Sequence, residues 1–257
     1  YTKLMLHADG SDQGTSFTDS SSGAKTVTNT ESYDSYTKLM LHIENNVTDS
    51  AAGKTVTNNN ATFSSSVYKM GGYSGVFNGS NAYLSLADSN DWDFDGDFTI
   101  DFWVKWNGSP SIAAFLANIY SASDKWCLYW EANTFYFYNN ISYTQFAWTP
   151  SANTWHHVAL IRSGSDLKLF VDGTQKGSTV TLSGTISTTG AGTLYVGGEN
   201  AWTVQYLNGY LDELRISKGI ARWTSNFTTP SSPYGKVATV TSQKKFGTAS
   251  GEFKGSG

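Results

Sequence analysis

Hydrophobic and polar residues take turns along the middle of the chain. Phe98, Ile100, Phe102 and Val104 occupy one set of positions, and Thr99, Asp101, Trp103 and Lys105 the other. A period of two predicts a β-strand with one face toward a core. Trp126–Glu131 and Thr134–Asn139 predict two aromatic strands joined by Ala132-Asn133. Trp155–Arg162 and Asp166–Asp172 predict a hairpin across Ser163-Gly164-Ser165, where Gly supplies the backbone freedom of a tight turn. Thr193–Gly197 and Tyr206–Ser217 predict later strands. No segment carries a convincing helical period, and Asp88–Trp92 predicts at most a short helical turn. Many short strands between Gly, Ser and Asn turns predict an all-β, two-sheet sandwich or jelly roll.

Repetition is the second pattern. YTKLMLH occurs at Tyr1–His7 and Tyr36–His42, TDS at Thr18–Ser20 and Thr48–Ser50, and KTVTN at Lys25–Asn29 and Lys54–Asn58. SGVFNGS (Ser74–Ser80) is echoed by SGEFKGS (Ser250–Ser256). Joining Asn29 to Gly235 aligns the flanks without a gap to the front of the central unit, from Asn58 through Ser80. The simplest organisation is nesting: a unit over 35–234 interrupts the front part of a second unit of the same kind, whose pieces are 1–34 and 235–257. A lone pair of strands is marginal in water. The flanks are therefore expected to pack on the central domain, pair with each other, or exchange with a second copy.

Composition narrows the function classes. The chain has 257 residues and a single cysteine, Cys127, so its core must hold without an internal disulfide. The net charge is −4 with no basic run, which disfavours a nucleic-acid partner. No stretch approaches the ~20 apolar residues of a membrane span, so no membrane role is expected. The chain lacks an initiator Met, and its numbering is expected to start inside a longer gene product. Aromatic residues make up 15% and charged residues only 15%, a balance closer to extracellular binding modules than to cytosolic enzymes.

Several motifs follow one another in a recognisable order: LMLH, FNGSNAYLSL (Phe77–Leu86), DFTIDFWVKW (Asp97–Trp106), WHHVALIRSG (Trp155–Gly164), LKLFVDG (Leu167–Gly173), LYVGG (Leu194–Gly198), LNGYLDELRISKGIARW (Leu207–Trp223) and FTTPSSPY (Phe227–Tyr234). In this order they resemble the laminin G-like, concanavalin A-like lectin/glucanase family, most of all its versions in bacteriophage and environmental viral structural proteins. The resemblance covers about Tyr36–Tyr234. It implies a two-sheet antiparallel jelly roll of about 12–14 strands with little or no helix. It also implies carbohydrate or protein binding, often a bound Ca²⁺, and usually no catalysis.

Glycoside hydrolases on this fold resemble one another in a strand whose carboxylates stand two or four residues apart, so that both flank one glycosidic bond. No strand here has that pattern: Asp212 and Glu213 are adjacent, and Glu131 and Glu199 stand alone. His156 and His157 lack a nucleophile elbow, and together with Cys127 they are expected to be structural. Asp91-x-Asp93-x-Asp95-Gly96 fits the first half of a calcium loop, but Phe102 takes the twelfth position, where a bidentate Glu is required. Asp93 and Asp95 therefore remain an alternative metal pair. The resemblance points first to Asp49 and Asp212, whose family counterparts form a calcium-holding corner; the shortened loop Ile43–Asn46 leaves the ligand set open.

Sugar recognition needs aromatic faces against C–H patches and polar groups for hydroxyls. The densest aromatic region nominates Trp126, Tyr129, Trp130, Tyr136 and Tyr138, with Asn140 and Trp202 from loops. The function expected is a non-catalytic, lectin-like module of a phage-type structural or adhesion protein at an extracellular or virion surface. Its partners would be a glycan and other virion proteins or a second copy. The rivals are an assembly domain that binds no sugar and, third, a glycoside hydrolase.

Overall fold

A computed structural model describes residues 16–18, 26–31, 33–198 and 205–240. The chain divides into two units, Asp34–Ser231 and Tyr1–Tyr33 with Ser232–Gly257. β1 (Ser16–Thr18) and β2 (Thr26–Glu31) belong to the smaller unit. The larger unit runs through β3 (Thr37–Leu41), β4 (Val56–Asn59), β5 (Thr62–Ser64), β6 (Ser74–Asn78), β7 (Tyr83–Leu86), β8 (Phe98–Trp106), β9 (Ala113–Ser121), β10 (Asp124–Glu131), β11 (Thr134–Tyr138), β12 (Tyr143–Ala147), β13 (His156–Ser163), β14 (Asp166–Val171), β15 (Thr174–Thr181), β16 (Thr193–Val196) and β17 (Asn208–Lys218). In the smaller unit β18 (Lys236–Val240) pairs with β2, and β2 with β1, so the two flanking segments pair with each other.

The larger unit is an all-antiparallel sandwich. One sheet has seven strands in the order β12-β11-β10-β9-β16-β7-β4. The other has eight, in the order β15-β14-β13-β8-β17-β6-β5 with β3 also on β17. β17 is the hinge of that layout: β8 runs along one side, while β6 and β3 share the other. The strand total slightly exceeds the 12–14 expected, because short edge strands such as β5 carry no pattern long enough to read. Asn90–Trp92 forms a single 3-10 turn, with the Ser89 hydroxyl accepting from Asp91 N at 3.2 Å.

Turn chemistry matches the sequence closely. Ala132 and Asn133 take φ of 48° and 62°, the paired left-handed conformation that twists with its flanking strands. The β13–β14 turn is one residue shorter than expected: Ser163 pairs with Asp166, leaving Gly164-Ser165 as the loop, with Gly164 at φ 61°.

The core lies between the sheets and is built from alternate residues of both. Phe98, Ile100, Phe102 and Val104 face Phe115, Trp126, Leu128, Phe135 and Phe137. β8 is buried on both sides, since Thr99 and Asp101 are also 0% exposed. The cause is a belt, residues 219–231, that crosses the outer face of the eight-stranded sheet. Its Trp223 and Phe227 stack at 4.0 Å over Ala159, Ile161 and Phe170. Phe227 N donates to Gly173 O at 2.9 Å, Arg222 N to Thr99 Oγ1 at 2.9 Å, and the Arg222 fork grips Asp34 at 3.0 Å. Under the belt, Arg215 binds Asp101 through two hydrogen bonds of 3.0 and 2.9 Å. No helix among the described residues is long and apolar enough to cross a membrane.

Candidate functional site

With one outer face belted, the outer face of the seven-stranded sheet stands uncovered among the described residues. Its outward positions are dominated by tyrosine. Tyr129 and Tyr136 stand on neighbouring strands with rings parallel, 4.6 Å apart and 4° from coplanar. Tyr138 and Tyr143 meet at 4.6 Å on β11 and β12. Across the sheet, Tyr83 lies 5.7 Å from Tyr195 and 6.2 Å from Tyr206.

One transverse row joins the two groups in register: Tyr143, Tyr138, Cys127, Ala117, Tyr195, Ser85 and Thr57, each opposite the next. Strand spacing of about 4.8 Å puts Tyr138 and Tyr195 roughly 14 Å apart. Between them Cys127 and Ala117 are small and covered, 4% and 1% exposed, because tyrosines from either side pack against them.

The face is nearly free of charge. In all seven strands the charged residues are Asp124, Lys125 and Glu131, all at the ends of β10. Asp124 accepts from Asn140 Nδ2 at 3.1 Å and from Thr189 N at 2.8 Å, and Lys125 Nζ donates to Ala122 O at 2.6 Å. Burial pushes the Tyr129 phenol above its ordinary value, and the neighbouring Tyr143, Cys127, Tyr136 and Glu131 add to it, so it stays a proton donor. Burial also raises Tyr143.

The residues nominated from sequence divide three ways. Tyr129, Tyr136, Tyr138 and Asn140 belong to this face or its rim. Asn140 takes part through its amide, which donates to Asp124 and accepts from Lys125 N at 3.3 Å. Trp126 and Trp130 do not: both sit in the core, 0% and 4% exposed. Their indole N–H groups donate to Trp92 O at 3.0 Å and Trp148 O at 2.9 Å, which lets large rings enter an apolar interior without stranding a donor. Alternation had placed these Trp opposite Tyr129 but could not say which side was inward. Trp202 lies outside the described residues. Sequence reasoning missed Tyr83 and Tyr195, which sheet order β9-β16-β7 places on this face, and Tyr206, which precedes β17 and joins them through Tyr83.

The histidines are structural. His156 Nδ1 contacts Asp172 Oδ2 at 2.7 Å while its Nε2 accepts from Ser151 N. His157 is fully buried among Trp103, Trp223 and Phe227, 3.6 Å from Asp101.

The two acids nominated for metal differ in character. Asp49 Oδ1 accepts from Met40 N and Ala51 N at 3.0 Å, and Oδ2 from Ala52 N at 3.3 Å and Lys54 N at 3.0 Å. Four amides saturate that carboxylate, so it organises its loop and does not fit as a cation ligand. Asp212 Oδ2 accepts from Lys69 N and Met70 N at 2.7 and 3.0 Å, while Oδ1 is buried with no partner. Burial pushes its carboxyl up to about 8 against those two amides, and the charges of Glu213 and Glu44 push the same way. A β-bulge between Asp212 and Arg215, with Glu213 at φ 49°, interrupts the alternation assumed for this strand. Asp93 is raised by burial and by Asp88 and Asp95, with Lys218 opposing, and Asp91 is taken by Lys54 at 2.6 Å. Among the described residues no three His, Cys, Asp or Glu side chains gather as a metal cluster.

Residues 78–222, more than half of the chain, match the family model described as the Concanavalin A-like lectin/glucanases superfamily. The chain belongs to that superfamily. No curated protein matches its sequence. Among solved structures, domain 4 of AbnA, a GH43 extracellular arabinanase from Geobacillus stearothermophilus, in complex with arabinotriose, is similar with a TM-score of 0.59 and 18% identity over 72% of this chain and 93% of that one. The botulinum neurotoxin serotype D/C binding domain is similar with a TM-score of 0.52 and 13% identity, over 71% of this chain and 48% of that one. A structure of type C neurotoxin, whose cell entry is described as dependent on interaction with two ganglioside molecules, has a TM-score of 0.53 and 12% identity over 71% of this chain and 47% of that one. The chain thus spans about half the length of the toxin binding domains. At such identities the likeness is one of fold.

Proposed function

We propose that this superfamily member is a non-catalytic carbohydrate-binding module that holds glycans on the open face of its seven-stranded sheet. The observation that carries the reading is the carpet of six part-exposed tyrosines gathered around the buried Tyr129, with charge in the seven strands confined to the ends of β10. Tyr combines a rigid apolar body with a hydroxyl, the pairing that sugar C–H patches and hydroxyls require. The neighbours support it: one was solved with arabinotriose, and another is described with gangliosides. Hydrolysis would need two carboxylates across the bond, whereas the carboxylates of the seven strands are Asp124, held by Asn140 and Thr189, and Glu131 at the opposite end of β10. The reading suits an adhesion protein at an extracellular or virion surface, where the repeated flanks would engage a second copy or other virion proteins.

The test is titration calorimetry of the full chain against ligands selected on a glycan array, with Tyr136→Ala and Tyr195→Ala alongside. Both variants should lose at least tenfold in affinity with unchanged circular dichroism. Binding that survives both, or release of shortened saccharides, overturns the proposal. Binding of partner proteins but of no glycan would favour the assembly-domain alternative.

We propose further that the module holds Ca²⁺ at Asp212 Oδ1 and not at Asp49, with backbone carbonyls and water completing the shell. Ca²⁺ added to chelator-treated protein should raise Tm, and Asp212→Asn should abolish the rise. An unchanged Tm in the unsubstituted chain overturns this.

A further inference from the structure

The tyrosine face has a width, an orientation and a charge state, and together they constrain its ligand. We propose, resting on the glycan-binding reading, that the two tyrosine groups are the two ends of one footprint, which takes a single extended, uncharged polysaccharide chain laid across the strands from β12 to β16.

Width comes first. From Tyr143 to Tyr195 the register runs over four strand steps, roughly 19 Å at about 4.8 Å per step. No single sugar ring spans that distance, so a ligand touching both groups is an oligomer. The residues between them, Cys127 and Ala117, are small and lie beneath the flanking tyrosines, so no bulky side chain of their own stands between the two groups. A cleft of about 490 Å³ among the described residues lies away from this face, against β4 beside Val47, Lys54 and Phe63.

Ring orientation comes second. Tyr129 and Tyr136 present their faces to each other, 4.6 Å apart, so each is half occupied by its neighbour. What such a pair offers a ligand is ring edge and hydroxyl, not one broad stacking platform. Contacts of that kind are individually weak and gain by repetition along a chain, the arithmetic of linked sites.

Charge comes third. A uronate or sialate carboxylate removed from water needs a cation or several donors aimed at it. Lys125 is the sole basic residue in the seven strands, 1% exposed and turned to Ala122 O. A neutral chain suffers no such desolvation.

The experiment is calorimetry of the full chain against neutral oligosaccharides of one linkage type, from monosaccharide to hexasaccharide, with polygalacturonate and sialyllactose as anionic counterparts. Affinity should rise at least tenfold between disaccharide and pentasaccharide and then level off. It should vary less than twofold with salt, and the anionic ligands should bind at least tenfold more weakly. Tyr195→Ala should reduce the hexasaccharide to the affinity of the disaccharide while Tm stays unchanged. A monosaccharide that binds as tightly as the hexasaccharide, or a preference for the anionic polymers, overturns this inference and leaves the glycan-binding reading standing. Failure of every saccharide to bind overturns both.

Discussion

Trp223→Ala separates the covered face from the open one. Trp223 stacks on Phe227 at 4.0 Å and 7°, meets the His157 ring edge-on at 5.8 Å, and turns its ring face to the Arg215 guanidinium 5.7 Å away. Truncating a fully buried Trp costs about 3–5 kcal/mol. Trp223 is only half-buried, so part of its surface already sees water, and the expected loss is roughly 2–3 kcal/mol. For a unit of this size each kcal/mol moves Tm by about 2–4 °C, giving a fall of roughly 5–10 °C by scanning calorimetry. Glycan affinity, titrated well below the new Tm, should stay within twofold, because the belt lies on the sheet opposite the tyrosines. Loss of binding in a variant that keeps its circular dichroism would place the ligand on the belted face and refute the site assignment. An unchanged Tm would refute the belt as a packed element.

Other substitutions probe the charges beneath and beside that belt. Asp101→Asn leaves Arg215 buried without its counter-charge and should cost about 3–5 kcal/mol in urea unfolding. Burial opposes the charge on Asp101, but Arg215 and the His157 contact outweigh it and hold the carboxyl well below its ordinary value. The stability this gives is fully present above the ordinary carboxylate value of 3.8 and is lost as pH falls through the depressed one, so Asp101→Asn should flatten the acid limb of a stability–pH curve. Asp212 has the opposite sign: in chelator the unsubstituted chain should lose stability as pH rises from 3.8 through about 8, and Asp212→Asn should remove that loss. Gly173→Ala, at φ +74° with a Cβ that would fall 1.9 Å from Phe227 O, should release the belt and be less than additive with Trp223→Ala.

Local pattern carried most of the fold. The alternation of β8, the paired left-handed turn at Ala132-Asn133 and the hairpins needed only neighbours in sequence, because strand period and turn conformation are properties of a few adjacent residues. The motif order then placed the chain in its superfamily. Alternation also separated Trp126 and Trp130 from Tyr129, Tyr136 from Phe135, and Tyr138 from Phe137.

Which of two alternating sets faces inward is a matter of what lies above the strand, and that was settled only by packing. Trp126 and Trp130 went into the core because carbonyls of Trp92 and Trp148, remote in sequence, receive their N–H groups. β8 lost its wet face because residues 219–231 return across it. Tyr83 and Tyr195 joined Tyr129 and Tyr136 because β16 and β7 hydrogen-bond in after β9, a neighbour relation no local pattern encodes, and Tyr206 reaches Tyr83 from the segment before β17. The amides on Asp49 and the lone oxygen of Asp212 likewise depend on loops that meet only in the folded chain. Sequence thus determined the strands and their two faces, and long-range contact decided which faces water sees.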